Sequence, residues 1–233
     1  MNKNLAIIPA RGGSKRIPRK NIKNFLGSPI IKYSIEAALQ SGCFDEVMVS
    51  TDDQQITAVA RLHGANIPFL RSAQNSQDKA ILVDVIIEVL SKYKKIGKDF
   101  DYICCLLPTA PFITSEQLKK GLKIIKQSGA SSVIPVVKFG YPIQRAFEIK
   151  NDRLKMIWPE NTHKNSQDLI PAYHDSGQFY WLKVDRFLKQ KEIFSSDAVA
   201  MVLPESEVQD IDNIEDWKIA ESKYKFLHKC NTK

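Results

Sequence analysis

The stretch Ile8-Pro9-Ala10-Arg11-Gly12-Gly13-Ser14-Lys15-Arg16-Ile17-Pro18-Arg19-Lys20-Asn21 decides how the 233-residue chain is to be read. The apolar run Leu5–Pro9 before it suits a buried strand, and the run breaks into a glycine- and arginine-rich loop. The elements beyond the loop alternate. A helix is expected from about Pro29, with Ser28 as N-cap, an Ile31, Ile35, Ala38 and Leu39 face, and Gly42 past its end. Val47–Ser50 reads as a second strand, and Asp52 or Asp53 caps a helix closed by Gly64. Ile67–Leu70 reads as a short third strand. Asp78 opens a longer helix with Ile81, Leu82, Val85, Ile86, Val89 and Leu90 at spacings of three and four. Tyr102–Leu107 is a strand, Thr114 and Gln117 form a capping-box pattern, and Ser132–Val137 is a further strand. This rhythm predicts an α/β fold, Rossmann-like, with a mostly parallel sheet and helices on both faces. Ligands of such sheets bind beyond the carboxyl ends of the strands, where the 11–15 loop lies.

After Val137 the pattern changes. Arg145–Ile149 and Leu154–Trp158 read as two strands about Asn151-Asp152, and residues 159–175 are polar. We expect residues 141–175 to form a small inserted β arm that needs a partner surface, with 1–140 and 176–233 forming one domain. Gln178–Val184 and Ala198–Leu203 are strands, Val208–Asp212 is extended, and a last helix starts at Ile214.

The net charge of +8 lies wholly at one end. Residues 1–35 hold eight bases and no acid, and the remainder is neutral. A protein that coats nucleic acid would spread its charge over a face, so a local anion site is the better reading. Arg11, Lys15 and Lys20 can surround several phosphates, with the Gly12-Gly13-Ser14 amides close by. A solvated basic loop is the competing reading. The loop is not a Walker motif, which needs a glycine separated by four residues from Gly-Lys-Ser/Thr, nor a Gly-x-Gly-x-x-Gly fingerprint. No apolar run reaches 18 residues, so neither a secretory segment nor a membrane span is expected. The four cysteines include no Cys-x-x-Cys pair, which suits a reduced, cytoplasmic chain.

The stretch IPARGGSKRIPRKNI resembles the signature of the CMP-sugar cytidylyltransferases, which join CTP to an acidic keto-sugar and release pyrophosphate. The likeness continues in order through VMVSTDD (47–53), FLRSA (69–73), LLPTAPF (106–112) and QDID (209–212). FGYPIQRAF, PAYHDSGQFYW and VQDIDNIEDW are most similar to the branch acting on pseudaminic acid. The resemblance implies a nucleotide-diphospho-sugar transferase-like fold. It places the phosphate-binding, catalytic cations at Arg11, Lys15 and Lys20. It sets Asn21, Arg71, Pro108 and Thr109 around the CTP, and Mg²⁺ on Asp210 and Asp212. Residues two apart in an extended segment face one way, so both carboxylates could reach one ion, although Asp212 could instead cap the last helix.

Departures fall in the sugar half. Leu107 stands where sialic acid enzymes have glutamine, Ser166-Gln167-Asp168 where they have Arg-Gln-Gln, Gln144 where they have lysine, and Asp78-Lys79-Ala80-Ile81 where they have Asp-Ser/Thr-Ala-Ser. Either another residue supplies each contact or the sugar differs. Gln144, Arg145, Asp175, Gln178 and Tyr180 are the candidate sugar contacts. Pseudaminic acid is the expected 2-keto sugar, with legionaminic, N-acetylneuraminic and 3-deoxy-manno-octulosonic acids as alternatives. A homodimer is expected, and no nucleic-acid or membrane partner. A non-catalytic nucleotide- or RNA-binding module is the reading from another class. It would want aromatics among the bases, and residues 1–35 have only Phe25 and Tyr33.

Overall fold

The computed structural model describes residues 3–229. Its elements in chain order are β1 (Asn4–Pro9), β2 (Asn24–Phe25), β3 (Ser28–Pro29), α1 (Ile31–Ser41), β4 (Glu46–Ser50), α2 (Gln54–Leu62), α3 (Leu82–Lys95), β5 (Tyr102–Leu106), α4 (Ser115–Ser128) and β6 (Ser132–Lys138). They continue with β7 (Phe147–Lys150), β8 (Arg153–Met156), β9 (Tyr173–Asp175), β10 (Phe179–Lys183), α5 (Val184–Gln190), β11 (Val199–Leu203) and α6 (Ile214–Lys229).

The central sheet runs β11-β6-β10-β5-β1-β4, with β9 also paired to β6. The β1, β4 and β5 pairings and the β6–β11 pairing are parallel, whereas β10 is antiparallel to both its neighbours. The sheet is therefore mostly parallel, as expected. Side chains that alternate along β1 explain the two layers. Ala6 and Ile8 pack with Ile31 and Ile35 of α1, Ile56 of α2 and Leu118 of α4. Leu5 and Ile7 pack with Ile86, Val89 and Tyr93 of α3 and Phe187 of α5. After β1 the chain turns to β4 on one side and later to β5 on the other. The carboxyl ends of β1 and β5 thus flank a topological switch point, the usual ligand position in such sheets.

Several expected boundaries move, each for a local reason. Helix α1 starts at Ile31 because Ser28–Pro29 pairs with Asn24–Phe25 around Leu26 and Gly27, both at positive φ. Ile67–Leu70 is not a strand. It follows a single bridge between Met48 and Asn66, and Pro68 lacks the amide a ladder needs. Helix α3 starts at Leu82, not Asp78, and Asp78 stands in the loop before it. The capping box at Thr114 and Gln117 is present, as is the αL glycine at Gly42.

Residues 208–212 are extended without joining a sheet, and α6 then crosses back to the start of the chain. A third cluster holds it there, in which Ile211, Trp217 and Ala220 meet Ile17, Phe25, Ile30 and Phe112. Phe25 sits edge-on to Trp217 at 5.5 Å and to Tyr224 at 5.6 Å. This packing sets the 11–20 loop beside residues 210–212. The β7–β8 hairpin turns through Asn151 and Asp152, both in the left-handed region, and forms its own two-stranded sheet.

Helix α4 lies against the sheet through a glycine. A Cβ on Gly121 would stand 2.6 Å from Cδ1 of Trp181. That indole is fully buried, stacks on Phe44 at 5.1 Å and donates from Nε1 to the Leu118 carbonyl at 3.2 Å, so it has nowhere to move. Alanine in a helix interior ordinarily stabilises by about 1 kcal/mol over glycine. Here Gly121→Ala is expected to lower stability by about 1–3 kcal/mol through overpacking, read from urea unfolding midpoints. An unchanged or raised midpoint would contradict the close packing.

Candidate functional site

A cavity of about 420 Å³ opens at the carboxyl ends of β1 and β5. Arg11, Ser14, Lys15, Lys20, Asn21, Arg71, Pro108, Thr109, Asp210 and Asp212 line it, drawn from four separated segments. Arg16, Asn75, Gln77 and Leu107 line it too. The loop that carries the cations is braced from the end of β4. The Ala10 amide donates to the Ser50 carbonyl at 2.9 Å, and the Gly12 amide donates to Oδ1 of Asp52 at 3.0 Å. A Cβ on Gly12 would come within 2.7 Å of Oδ2 of Asp53, so glycine is required there by close approach. Gly13 faces open space, and neither residue has positive φ. The glycine pair therefore matters for clearance at one position, not for a left-handed turn.

Asp53 does more than cap α2. Its Oδ1 accepts from the Ile56 amide at 2.9 Å, and both its oxygens accept from the Arg19 guanidinium, at 2.5 and 2.8 Å. The Arg19 hydrogen bonds hold its carboxyl down at about 2. Arg19 is thus a clamp that fixes the far side of the loop. Its own backbone is in the left-handed region. Asn21 donates from Nδ2 to the Arg11 carbonyl at 2.9 Å, which ties the loop's two ends together. Lys20 reaches across to the carbonyl of Ile211 at 2.7 Å. Burial lowers its pKa, against the opposing pull of Asp212 and Asp210.

Arg71 is buried rather than paired at the surface. Its Nε donates to Ser50 Oγ at 3.1 Å and its Nη2 to the Ser50 carbonyl, while its backbone amide bonds the Thr51 carbonyl at 2.8 Å. Burial lowers its pKa as well. The following loop is pinned by Glu88 of α3, which accepts from the Ser72 amide and hydroxyl at 2.7 Å each, from Asn75 Nδ2 at 2.6 Å and from Lys92 at 2.5 Å. Burial pushes Glu88 up, but these hydrogen bonds outweigh it and bring the carboxyl to about 2. Asn75 and Gln77 reach the cavity from this loop. At its tip Asp78 bridges Arg11, at 2.9 Å, and Lys15.

The acids of residues 210–212 complete the wall. Asp212 is free of the helix cap. Asn213 Oδ1 accepts from the Glu215 and Asp216 amides at 2.8 and 3.0 Å, and Asp216 Oδ2 accepts from the Asp212 and Asn213 amides at 2.9 Å each. Asp212 instead pairs with Arg16 at 2.8 Å and lies 3.9 Å from Lys20. Surrounding protein raises the pKa of Asp210, and the Asp212 charge adds to this. An acid on a cavity wall whose charge is disfavoured by burial and by a neighbouring carboxylate is a donor that a hard divalent cation relieves. No group of three or more possible ligands occurs among the described residues. An ion here would thus take two carboxylates and complete its shell with phosphate oxygens and water, which fits Mg²⁺.

The candidate sugar contacts do not line this cavity. Gln144 donates to the Ile170 carbonyl at 2.7 Å and Arg145 to that of Lys164, both within the arm. Gln178 is buried and donates to the Glu207 carbonyl at 2.6 Å. The Tyr180 hydroxyl donates to Asp175 Oδ2 at 2.5 Å, with burial raising its pKa. Asp175 and Tyr180 nevertheless adjoin the site, because Gly177 between them abuts Asp210.

Sequence reasoning missed three groups, namely the bracing by Asp52 and Asp53, the Glu88 anchor and Asp78. Asp52 and Asp53 lie in a stretch singled out for its resemblance, although by sequence one of them reads only as the cap of α2. Nothing in the sequence distinguished Glu88 from the polar face of its helix.

Comparison with known proteins bears on this arrangement. The family described as cytidylyltransferase matches residues 5–225. The chain is 44% identical to the pseudaminic acid cytidylyltransferase of Campylobacter jejuni, over 97% of this chain and 98% of that protein. It is 33% identical to the CMP-N,N'-diacetyllegionaminic acid synthase of Legionella pneumophila, over 93% and 94%. A solved structure of CMP:2-keto-3-deoxy-manno-octonic acid synthetase complexed with CTP shares the fold, with a TM-score of 0.70, 17% identity and coverage of 94% of this chain and 97% of that one. With a braced cationic loop facing two acids at the switch point of a mostly parallel sheet, and likeness along nearly its whole length, the chain belongs to the cytidylyltransferase family.

Proposed function

We propose that this protein joins CTP to pseudaminic acid, giving CMP-pseudaminic acid and pyrophosphate, with Mg²⁺ held by Asp210 and Asp212. One observation carries the reading: Arg11, Lys15, Lys20 and Arg71 line one cavity together with the carboxylates of Asp210 and Asp212. The 44% identity to a pseudaminic acid enzyme, against 33% to a legionaminic one, favours the sugar.

The reaction is an in-line displacement. The anomeric hydroxyl of the sugar attacks the α-phosphorus of CTP and gives up its proton to solvent, the bond to the β-phosphate oxygen breaks, and pyrophosphate leaves with the electron pair. Two anions must approach each other, so fixed cations do most of the work. Arg11 and Lys15 hold the triphosphate and then the departing pyrophosphate. Lys20 and Arg71, partly desolvated and braced by backbone carbonyls, keep their orientation as charge moves. Asp210 and Asp212 would hold a Mg²⁺ that, when bound, would supply charge neutralisation and would lower the pKa of the attacking hydroxyl. No histidine is needed as a base in this scheme.

The first test is pyrophosphate release from CTP with a panel of 2-keto sugars. Pseudaminic acid is expected to give the highest kcat/KM, and preference for N-acetylneuraminic acid would overturn the sugar assignment. Asp210→Asn combined with Asp212→Asn should lower kcat by at least about 10²-fold, in line with the loss of one charge-stabilising group, and should abolish the response of turnover to added Mg²⁺. Unchanged activity would sink the metal assignment.

The arm supports a homodimer. Phe147, Ile149, Leu154 and Ile170 leave 56%, 74%, 68% and 80% of their surface exposed, a density of apolar area that a lone hairpin does not sustain in water. In this reading each arm lies over its partner near the sugar subsite, and the enzyme works in the cytoplasm, where CTP is made. Among the described residues no helix is long and apolar enough to cross a membrane. Sedimentation is expected to show a dimer that Ile149→Asp with Leu154→Asp dissociates. A fully active wild-type monomer would remove the proposal.

A further inference from the structure

Asp78 stands where an anion should be. Its Oδ1 lies 2.9 Å from Nη1 of Arg11 and its Oδ2 contacts Nζ of Lys15, so one carboxylate presents two oxygens to two cations, as a phosphate would. Both cations line the cavity. The other acids that answer the loop are built differently. Asp53 is mostly buried and also caps α2, and Asp212 pairs with Arg16. Asp78 is exposed, sits between the Glu88-pinned residues 72–75 and the start of α3, and is held by the very groups that the triphosphate needs.

We propose that Asp78 is a carboxylate latch. It closes on Arg11 and Lys15 when the cavity holds no nucleotide, and the incoming triphosphate displaces it. The proposal rests on the reading that these two cations hold the triphosphate of CTP. Two consequences follow from charge alone. The open fraction of the latch scales apparent affinity for CTP, because binding requires the competent state. The same carboxylate, returning as pyrophosphate departs, takes over its cations and shortens the time the product stays bound. An exposed pair is weak, so the latch tunes affinity without blocking the site. The Glu88 anchor confines the movement to the tip of the loop and leaves Asn75 in place.

The test is titration calorimetry of the full chain with CTP and, separately, with inorganic pyrophosphate. Asp78→Asn is expected to bind both about three- to tenfold more tightly than wild type, the gain set by the closed fraction of a weak exposed pair, and the gain should shrink at high salt. Asp78→Ser serves as a second variant should the first fold poorly. Asp84→Asn, which removes the same charge from the first turn of α3, should bind as wild type does. Lys15→Ala should bind at least about tenfold more weakly, as for loss of a charge-assisted contact. If Lys15→Ala weakens binding while Asp78→Asn leaves it unchanged or weaker, the latch is wrong and the cradle stands. If Lys15→Ala binds like wild type, the cradle itself is wrong. Equal tightening by Asp84→Asn would reduce the effect to net charge and overturn the latch.

Discussion

Like charges crowded at one strand end set the terms for the rest of this structure. The loop 11–20 carries five bases and no acid, and their mutual repulsion must be answered before the loop can hold a single shape. Three remote segments answer it. Asp52 and Asp53 at the end of β4 take the Gly12 amide and Arg19, Asp78 before α3 takes Arg11 and Lys15, and Asp212 before α6 takes Arg16. The sheet places the first, the α3 crossover the second, and the aromatic cluster around Phe25 and Trp217 the third. The excess positive charge noted in the sequence is therefore a local demand that organises the tertiary fold.

The answer is graded, and the grading explains why the site can bind an anion. Arg19 meets a mostly buried carboxylate with a bidentate contact, a fixed pair. Lys20 and Arg71 bond carbonyl oxygens instead, and the nearest carboxylate to Lys20 stands back at 3.9 Å, so dipoles orient them more than a close ion pair does. Burial lowers the pKa of both, and nearby acids offset this only in part. The acids divide in the same way. Asp53 and Glu88 are held near 2 by donors that surround them, while Asp210 is pushed up by its surroundings and by Asp212. Environments that drive carboxylates apart separate scaffold from chemistry. Asp53 and Glu88 belong to the scaffold, and Asp210 stands on the cavity wall with its charge uncompensated by hydrogen-bond donors of that number.

The same distinction accounts for what could be read from the sequence. Strands β1, β4, β5 and β6 announced themselves by uninterrupted apolar runs, since a sheet covered on both faces needs no alternation. The loop and its neighbours were visible because their residue types are unusual together. What escaped were features that depend on partners far away in sequence. Asp78 looks like a helix start until the structure shows two cations drawing it into the preceding loop. Asp212 could have been a cap, until Asn213 and Asp216 are seen to cap each other. Ile67–Leu70 has strand composition, but Pro68 and the edge beyond β4 leave it without a ladder. Tyr180 of β10 packs into the core and donates to Asp175, and Gln178 just before the strand is buried on the Glu207 carbonyl, so both polar groups are taken up by the protein itself.

The arm and the acids are coupled through the break between β9 and β10. Both strands pair with the same side of β6, β10 at residues 132–133 and β9 at 136–138, and the chain between them kinks at Ser176 and Gly177. Gly177 has a φ of 62°, and a Cβ there would lie 3.5 Å from Cγ of Asp210. Asp175 on one side of the kink accepts from Tyr180 on the other. The root of the inserted arm is thereby packed against Asp210 by a residue that has no side chain to cushion it. Displacement of the arm's root would bear on the position of that carboxylate. The junction between the β7–β8 arm and the sheet, more than the hairpin itself, is therefore where the segment after β6 bears on the acid wall of the cavity.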